Sequence, residues 1–148
     1  MRVVAGSDHA GLSLKKTLVE QLRKAGREVE DLGTFENSSV DYPDYAVAVA
    51  KQVSEGKADF GLLVCGTGQG MAMVANRIPG IRAAVVSESF TAAATRQHND
   101  ANVLCMGERV VGPGLAWQIL DIFLSTPYEG GRHARRVGMI QALDRKDT

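Results

Sequence analysis

The run Phe60-Gly-Leu-Leu-Val-Cys65 has no polar position, and Gly-Thr-Gly-Gln-Gly follows at once as residues 66–70. An apolar stretch without alternation describes a strand covered on both faces, the condition met in the middle of a parallel sheet. That requirement leaves few folds, because parallel strands need helices on each side and long crossover connections. The rest of the chain supplies both. Four further short apolar or β-branched runs, Arg2 to Gly6, Arg27 to Leu32, Ile81 to Val86 and Ala101 to Met106, alternate with segments of helical period. Leu14, Leu18, Leu22 and Ala25 line one face of the first helix, and Ala46, Val49, Ala50 and Val53 line one face of the second. Gly26 and Gly56 stand where left-handed helix terminators are expected. Further helices are predicted from about Pro113 to Leu124 and from about Gly131 to Leu143, the last ending in a charged tail. A chain of 148 residues fits one domain of α/β class, residues 1–148, with no linker or repeat.

Charge then narrows the partners. Lys plus Arg and Asp plus Glu each total 17, so no chain-wide basic field exists to hold nucleic acid or an anionic membrane. An anionic ligand must be met by local groups. The amino terminus turns polar too soon for a signal peptide, and no stretch approaches the roughly 18 apolar residues of a membrane span. Cys65 and Cys105, both in apolar runs, fit reduced thiols better than a disulfide framework. A soluble, cytoplasmic protein is expected. A zinc reading is weak, since neither a CxxC pair nor two closely spaced histidines occur.

In open parallel sheets ligands bind beyond the carboxyl ends of the strands. This selects Asp8 and His9 after the first strand and Cys65 with its glycine loop after the third. His98 and Asn99 close the helix after the fourth strand, whose own end carries Ser87 and Glu88. The loop is not a nucleotide fingerprint: its glycines fall at 66, 68 and 70, and it follows the third strand instead of the first. Gly6 to Gly11 has Walker-type glycine spacing, yet Leu12 and Ser13 stand where Lys and Ser or Thr are required. A cysteine phosphatase would need an arginine where Met71 stands. What remains is a turn of small residues whose backbone N–H groups can meet negative charge. Beside it, Cys65 is either a small buried hydrophobe or a group for attack or proton transfer, and position alone leaves these readings open.

Taken in order along the chain, Gly6-Ser-Asp-His-Ala-Gly11, Asp41-Tyr-Pro43, Cys65-Gly-Thr-Gly-Gln-Gly70, Ala75-Asn76, Arg96-Gln-His-Asn-Asp-Ala-Asn102, Gly107-Glu-Arg-Val-Val-Gly112 and Tyr128-Glu-Gly-Gly-Arg-His133 resemble the ribose-5-phosphate isomerase B family. That group also includes galactose-6-phosphate and allose-6-phosphate isomerases. The resemblance spans nearly the whole chain. It implies a Rossmann-like three-layer α/β domain with a five-stranded parallel sheet and a C-terminal helix at the subunit interface. The implied reaction interconverts ribose 5-phosphate and ribulose 5-phosphate in the pentose phosphate pathway, through an enediolate and without metal or other cofactor.

Residue roles follow from the same resemblance. Cys65 would be the base moving a proton between C2 and C1; some members carry a glutamate at the position of Met71 instead, and this sequence sides with the thiol-based members. Gly66, Gly68 and Gly70 would be backbone donors to the enediolate oxygen, a task suited to residues without side chains. His98 would open the sugar ring, assisted by Thr67 and Asp8, although Asp at such a turn also commonly caps a helix. His9, Arg109, Arg132 and Arg136 would hold phosphate, with Arg132 and Arg136 four apart on one helix face. Tyr42 and Asn99 would contact sugar hydroxyls. The family assembles as a homodimer or dimer of dimers, with His98, Asn99 and the arginines serving the neighbouring subunit's loop. Other readings are a six-carbon sugar phosphate as substrate, a binding protein without catalysis, and a metal-dependent hydride shift.

Overall fold

The computed structural model describes residues 1–144. Five parallel strands are ordered β2-β1-β3-β5-β4. They are β1 (Arg2–Ser7), β2 (Glu28–Asp31), β3 (Phe60–Cys65), β4 (Ala83–Val85) and β5 (Val103–Gly107). The apolar run is the central strand, as its lack of alternation requires: Val3–Ser7 of β1 pair with Phe60–Val64 on one side, and Val103–Gly107 pair with Gly61–Cys65 on the other. The polar strand β2, Glu-Val-Glu-Asp, lies at one edge with alternating exposure. At the other edge β4 forms a shorter ladder than the expected Ile81 to Val86: Ala83–Val85 pair with Val103–Cys105, the Val86 N–H adds one last bond to the Cys105 carbonyl at 3.1 Å, and Ile81 turns into the core before the strand begins.

Six helices follow in chain order: α1 (Leu12–Lys24), α2 (Tyr42–Ser54), α3 (Gln69–Ala75), α4 (Ser89–Asn99), α5 (Pro113–Ser125) and α6 (Arg132–Leu143). One face of the sheet is covered by α1, α4 and α5, whose Leu18, Leu22, Ala92, Ile119 and Phe123 close on Ala5, Leu62 and Leu104. The other face is covered by α2 and α3 through Val49, Ala50 and Met71 against Val4, Leu63 and Cys105. The expected periodicities are thus the core faces except at Ala25, which caps the end of α1 in an exposed position because the helix stops at Lys24. Gly26 and Gly56 end α1 and α2 at φ of +77° and +73°, the left-handed conformation that lets a chain leave a helix sharply. α6 packs through His133 and Val137 and leaves Met139, Ile140 and Leu143 exposed. The charged tail expected after it, residues 145–148, lies outside the described residues. No helix among the described residues is long and apolar enough to cross a membrane.

Candidate active site

Three loops meet at the carboxyl end of the sheet. The first leaves β1 through Asp8, whose Oδ1 accepts from the N–H groups of Ala10 and Gly11 at 3.0 and 3.1 Å and so caps a single 3₁₀ turn. That turn is pressed onto the end of β3, because a Cβ on Gly11 would lie 2.3 Å from the carbonyl oxygen of Val64. Asp8 therefore stands directly beside the Cys65 strand end, with one oxygen engaged as a cap. His9 Nδ1 accepts from the Val40 N–H at 3.1 Å, which places the proton of the neutral ring on Nε2 and leaves that nitrogen as a donor.

The second loop is Gly66 to Gly70. Cys65 is buried at the strand end, and the N–H of Gly68 donates to its Sγ at 3.1 Å. Gly68 reaches this position at φ of +81°, a backbone state that disfavours a Cβ. Gly66 and Gly70 N–H groups have no hydrogen-bond partner among the described residues. Two side chains close over them. A Cβ on Gly66 would stand 3.3 Å from Nη1 of Arg109, and one on Gly70 would stand 2.6 Å from Cζ of Tyr42. The missing side chains at 66 and 70 are the space that the Arg109 guanidinium and Tyr42 ring occupy. Thr67 is exposed, and its Oγ1 accepts from Gln69 N–H at 3.4 Å. Met71 is fully buried against the sheet.

The third loop follows β5. Glu108 and Arg109 N–H groups bond to the carbonyls of Cys65 and Gly66 at 2.9 and 3.1 Å, locking the two loops together. The Glu108 carboxylate accepts from Leu14 N–H at 2.6 Å and so serves the start of α1, a role sequence reading did not assign. Lys15 was also missed. It sits on the buried stripe of α1, pairs with Asp31 at 2.8 Å, bonds to the Thr34 carbonyl and lies 4.9 Å over the Phe35 ring. Its signal was a lysine three and four residues before Leu18 and Val19, on the face predicted apolar. At the end of the fourth strand, Glu88 accepts from Thr91 N–H at 2.9 Å as the cap of α4, and hydrogen bonding from the Thr91 side chain, with the Thr91 and Phe90 N–H groups adding to it, holds its carboxyl below the usual range.

The remaining predicted residues are not in this cluster. His98 and Asn99 end α4, which runs back along the sheet, so they lie where β5 begins. A five-residue strand spans roughly 15 Å, and that length separates them from the Cys65 edge. Arg132 opens α6 beside them, since His133 stacks on His98 with ring centroids 4.4 Å apart. Arg109, Arg132 and Arg136 are exposed and make no ion pair among the described residues. Much of the Arg96 to Asn102 motif holds the fold: buried Arg96 reaches Asp100 at 2.8 Å and the Ala101 carbonyl at 2.7 Å, while Asn102 receives Arg82 N–H at 2.8 Å. The histidines that looked unpaired in sequence are therefore a pair in space.

Architecture and site together define an α/β protein whose ligand loops gather a thiol, unpartnered backbone donors and an arginine at the carboxyl edge of a parallel sheet. The model of the Ribose/Galactose Isomerase family matches residues 3–140, and the chain belongs to that family. It is 48% identical over 145 residues to ribose-5-phosphate isomerase B of Escherichia coli, covering 98% of this chain and 97% of that one. Ribose-5-phosphate isomerase B of Clostridium thermocellum superposes with a TM-score of 0.98 at 49% identity, covering 100% of each chain. The enzyme of the same name from Mycoplasma genitalium, whose structure contains ribulose 5-phosphate, gives 0.95 at 42% identity and covers 98% of this chain and 97% of that one. The resemblance read from the ordered motifs and the five-stranded parallel architecture are both borne out.

Proposed function

We propose that this chain is an aldose-ketose isomerase interconverting ribose 5-phosphate and ribulose 5-phosphate, working as a homo-oligomer in which each site draws on two subunits. The observation that carries the chemistry is the Gly68 N–H bonded to Cys65 Sγ at 3.1 Å, beside loop donors at Gly66 and Gly70 with no partner among the described residues. The Gly68 N–H fixes the sulfur at the loop and meets negative charge there when the thiol gives up its proton. The base then takes the C2 proton of the open-chain aldose, the electron pair forms the C1–C2 double bond, and negative charge passes to the former carbonyl oxygen. Backbone donors fixed in advance stabilise that oxygen, typically by about 3 to 4 kcal/mol each. Return of the proton to C1, with transfer of the O2 proton to O1, completes the ketose.

Ring opening needs a proton removed from the anomeric hydroxyl and one delivered to the ring oxygen. This is assigned to His98 of the partner subunit, assisted by Thr67 and the free oxygen of Asp8. The opposite placement of His98 and Cys65 within one chain supports the two-subunit site, as do the exposed Met139, Ile140 and Leu143 on α6, which suit a subunit contact. Phosphate is assigned to His9 Nε2 and Arg109 together with Arg132 and Arg136, and sugar hydroxyls to Tyr42 and Asn99. The free thiols of Cys65 and Cys105 support a cytoplasmic setting, and the substrate pair places the reaction in pentose phosphate metabolism.

The test is turnover of ribose 5-phosphate, with allose 6-phosphate alongside, by wild type and Cys65→Ala. Wild type is expected to favour the pentose, and the variant to lose about 10² to 10⁴-fold in kcat with its fold intact. Undiminished turnover by Cys65→Ala would sink the assignment of the base.

A further inference from the structure

His98, Glu129 and His133 each offer a ligand atom, and these atoms lie within 4.8 Å of one another. The sequence hides this cluster, because His98 ends α4 while Glu129 and His133 flank the turn into α6. The structure ties the two segments together: Glu129 N–H bonds to the Gln97 carbonyl at 3.2 Å, and Arg96 Nε bonds to the Thr126 carbonyl at 3.3 Å. Gly130 and Gly131, at φ of +62° and +53°, make the turn that brings Glu129 back over His133. The cluster is thus built on anchored backbone.

A second observation points to a ligand. His133 is about nine-tenths buried, and its Nε2 has no hydrogen-bond partner among the described residues. The nearest acid, Glu129 Oε2, is 3.6 Å away, which is too long for a hydrogen bond. A buried imidazole nitrogen left in this way is costly unless something fills it. Ligand atoms around a tetrahedral ion with bonds of about 2.0 to 2.2 Å sit roughly 3.3 Å apart, so a carboxylate and a nitrogen at 3.6 Å are already near the required spacing.

We propose that His98, Glu129 and His133 form a three-ligand site for a divalent transition ion of the zinc class, and that occupation of this site takes the His98 imidazole out of use. The donor set selects the ion. Two imidazoles and one carboxylate suit zinc, cobalt or nickel and offer too few oxygens for calcium or magnesium. Arg132, Arg135 and Arg136 on the same helix also oppose any cation held by field alone, so the ion must be held by coordinate bonds. Stacked rings inclined by only 20° aim their in-plane lone pairs side by side, so closure on one ion requires the His98 ring to turn. His98 stands at a helix end, and this imidazole torsion is broad and soft.

The first part of the proposal stands on the cluster alone; the inhibition rests also on the ring-opening role given to His98. Dialysed full-length protein is titrated with zinc sulfate against a chromophoric chelator, and with cobalt(II) while the visible spectrum is recorded. Expected are one ion per chain, affinity at least about tenfold weaker in Glu129→Ala and His133→Ala, and cobalt bands without thiolate charge transfer. Glu129 is exposed, so its variant remains informative if His133→Ala fails to fold. Unchanged affinity in Glu129→Ala, or a thiolate band placing the ion on a cysteine, overturns the site. Turnover of ribose 5-phosphate should fall in step with zinc occupancy in wild type and resist zinc in Glu129→Ala. Zinc binding lost in Glu129→Ala but without inhibition in wild type would uphold the site and instead remove His98 from the reaction.

Discussion

Cys65 and Cys105 lie in one apolar cluster, yet they meet different surroundings. Cys65 ends its strand at the glycine loop and receives an N–H, whereas Cys105 is fully enclosed in the middle of β5. Burial, with the charge on Cys65 adding to it, pushes the Cys105 thiol above its ordinary range. The unfolded chain releases that proton once pH passes about 8.5, while the native protein retains it. Above that pH the native state binds more protons than the unfolded one, so stability falls by up to about 1.4 kcal/mol per pH unit; below it the contribution is complete. The stability advantage of wild type over Cys105→Ala, read from urea unfolding, is therefore expected to shrink between about pH 7.5 and about pH 9.5. A gap that stays constant across that window would mean Cys105 is not protected from ionisation by the fold. Sequence set Cys65 apart by the glycine loop that follows it, but a cysteine ending an apolar run carries no mark of which atoms will face its sulfur, so the Gly68 N–H was not legible.

At the scale of elements, the strands and the two glycine stops were legible because their signals are local: unbroken apolar character at Phe60–Cys65, helical period on α1 and α2, and a left-handed turn at Gly26 and Gly56. The loop from Leu32 to Asp41 was not legible, since what holds it comes from elsewhere in the chain. Its carbonyl at Gly33 accepts from Ser7 N–H at 2.7 Å, its Val40 N–H reaches His9, and buried Lys15 ties Asp31 to Thr34 from beneath. Removing one partner of a buried ion pair leaves the other uncompensated, at a cost of about 3 to 5 kcal/mol. Lys15→Ala is expected to lower unfolding stability toward that range, and Lys15→Ala with Asp31→Asn to recover part of the loss. Urea midpoints of the single and double variants give the answer. Equal losses in both would mean that the lysine acts through packing and not through its charge.

On the scale of the whole molecule, the fold separates residues that the motifs place in one site. A doubly wound sheet sends each helix back toward the start of the next strand, so a residue at the end of α4 cannot share an edge with one at the end of β3. The ordered motifs revealed the residue types of both halves, but only the direction of α4 shows that a single chain keeps them apart. In the two-subunit site proposed above, a two-fold assembly would join the halves by bringing the α4 end of each copy to the Cys65 loop of the other, giving two equivalent sites. This arrangement makes complementation the decisive measurement. Cys65→Ala and His98→Asn homodimers are each expected to be inactive in isomerising ribose 5-phosphate. When the two are unfolded together, mixed and refolded, half of the dimers are mixed; each has one doubly defective site and one intact site, so about a quarter of wild-type activity returns. Were Cys65 and His98 to act within one chain, every site in the mixture would keep one lesion, and no activity would return at any mixing ratio.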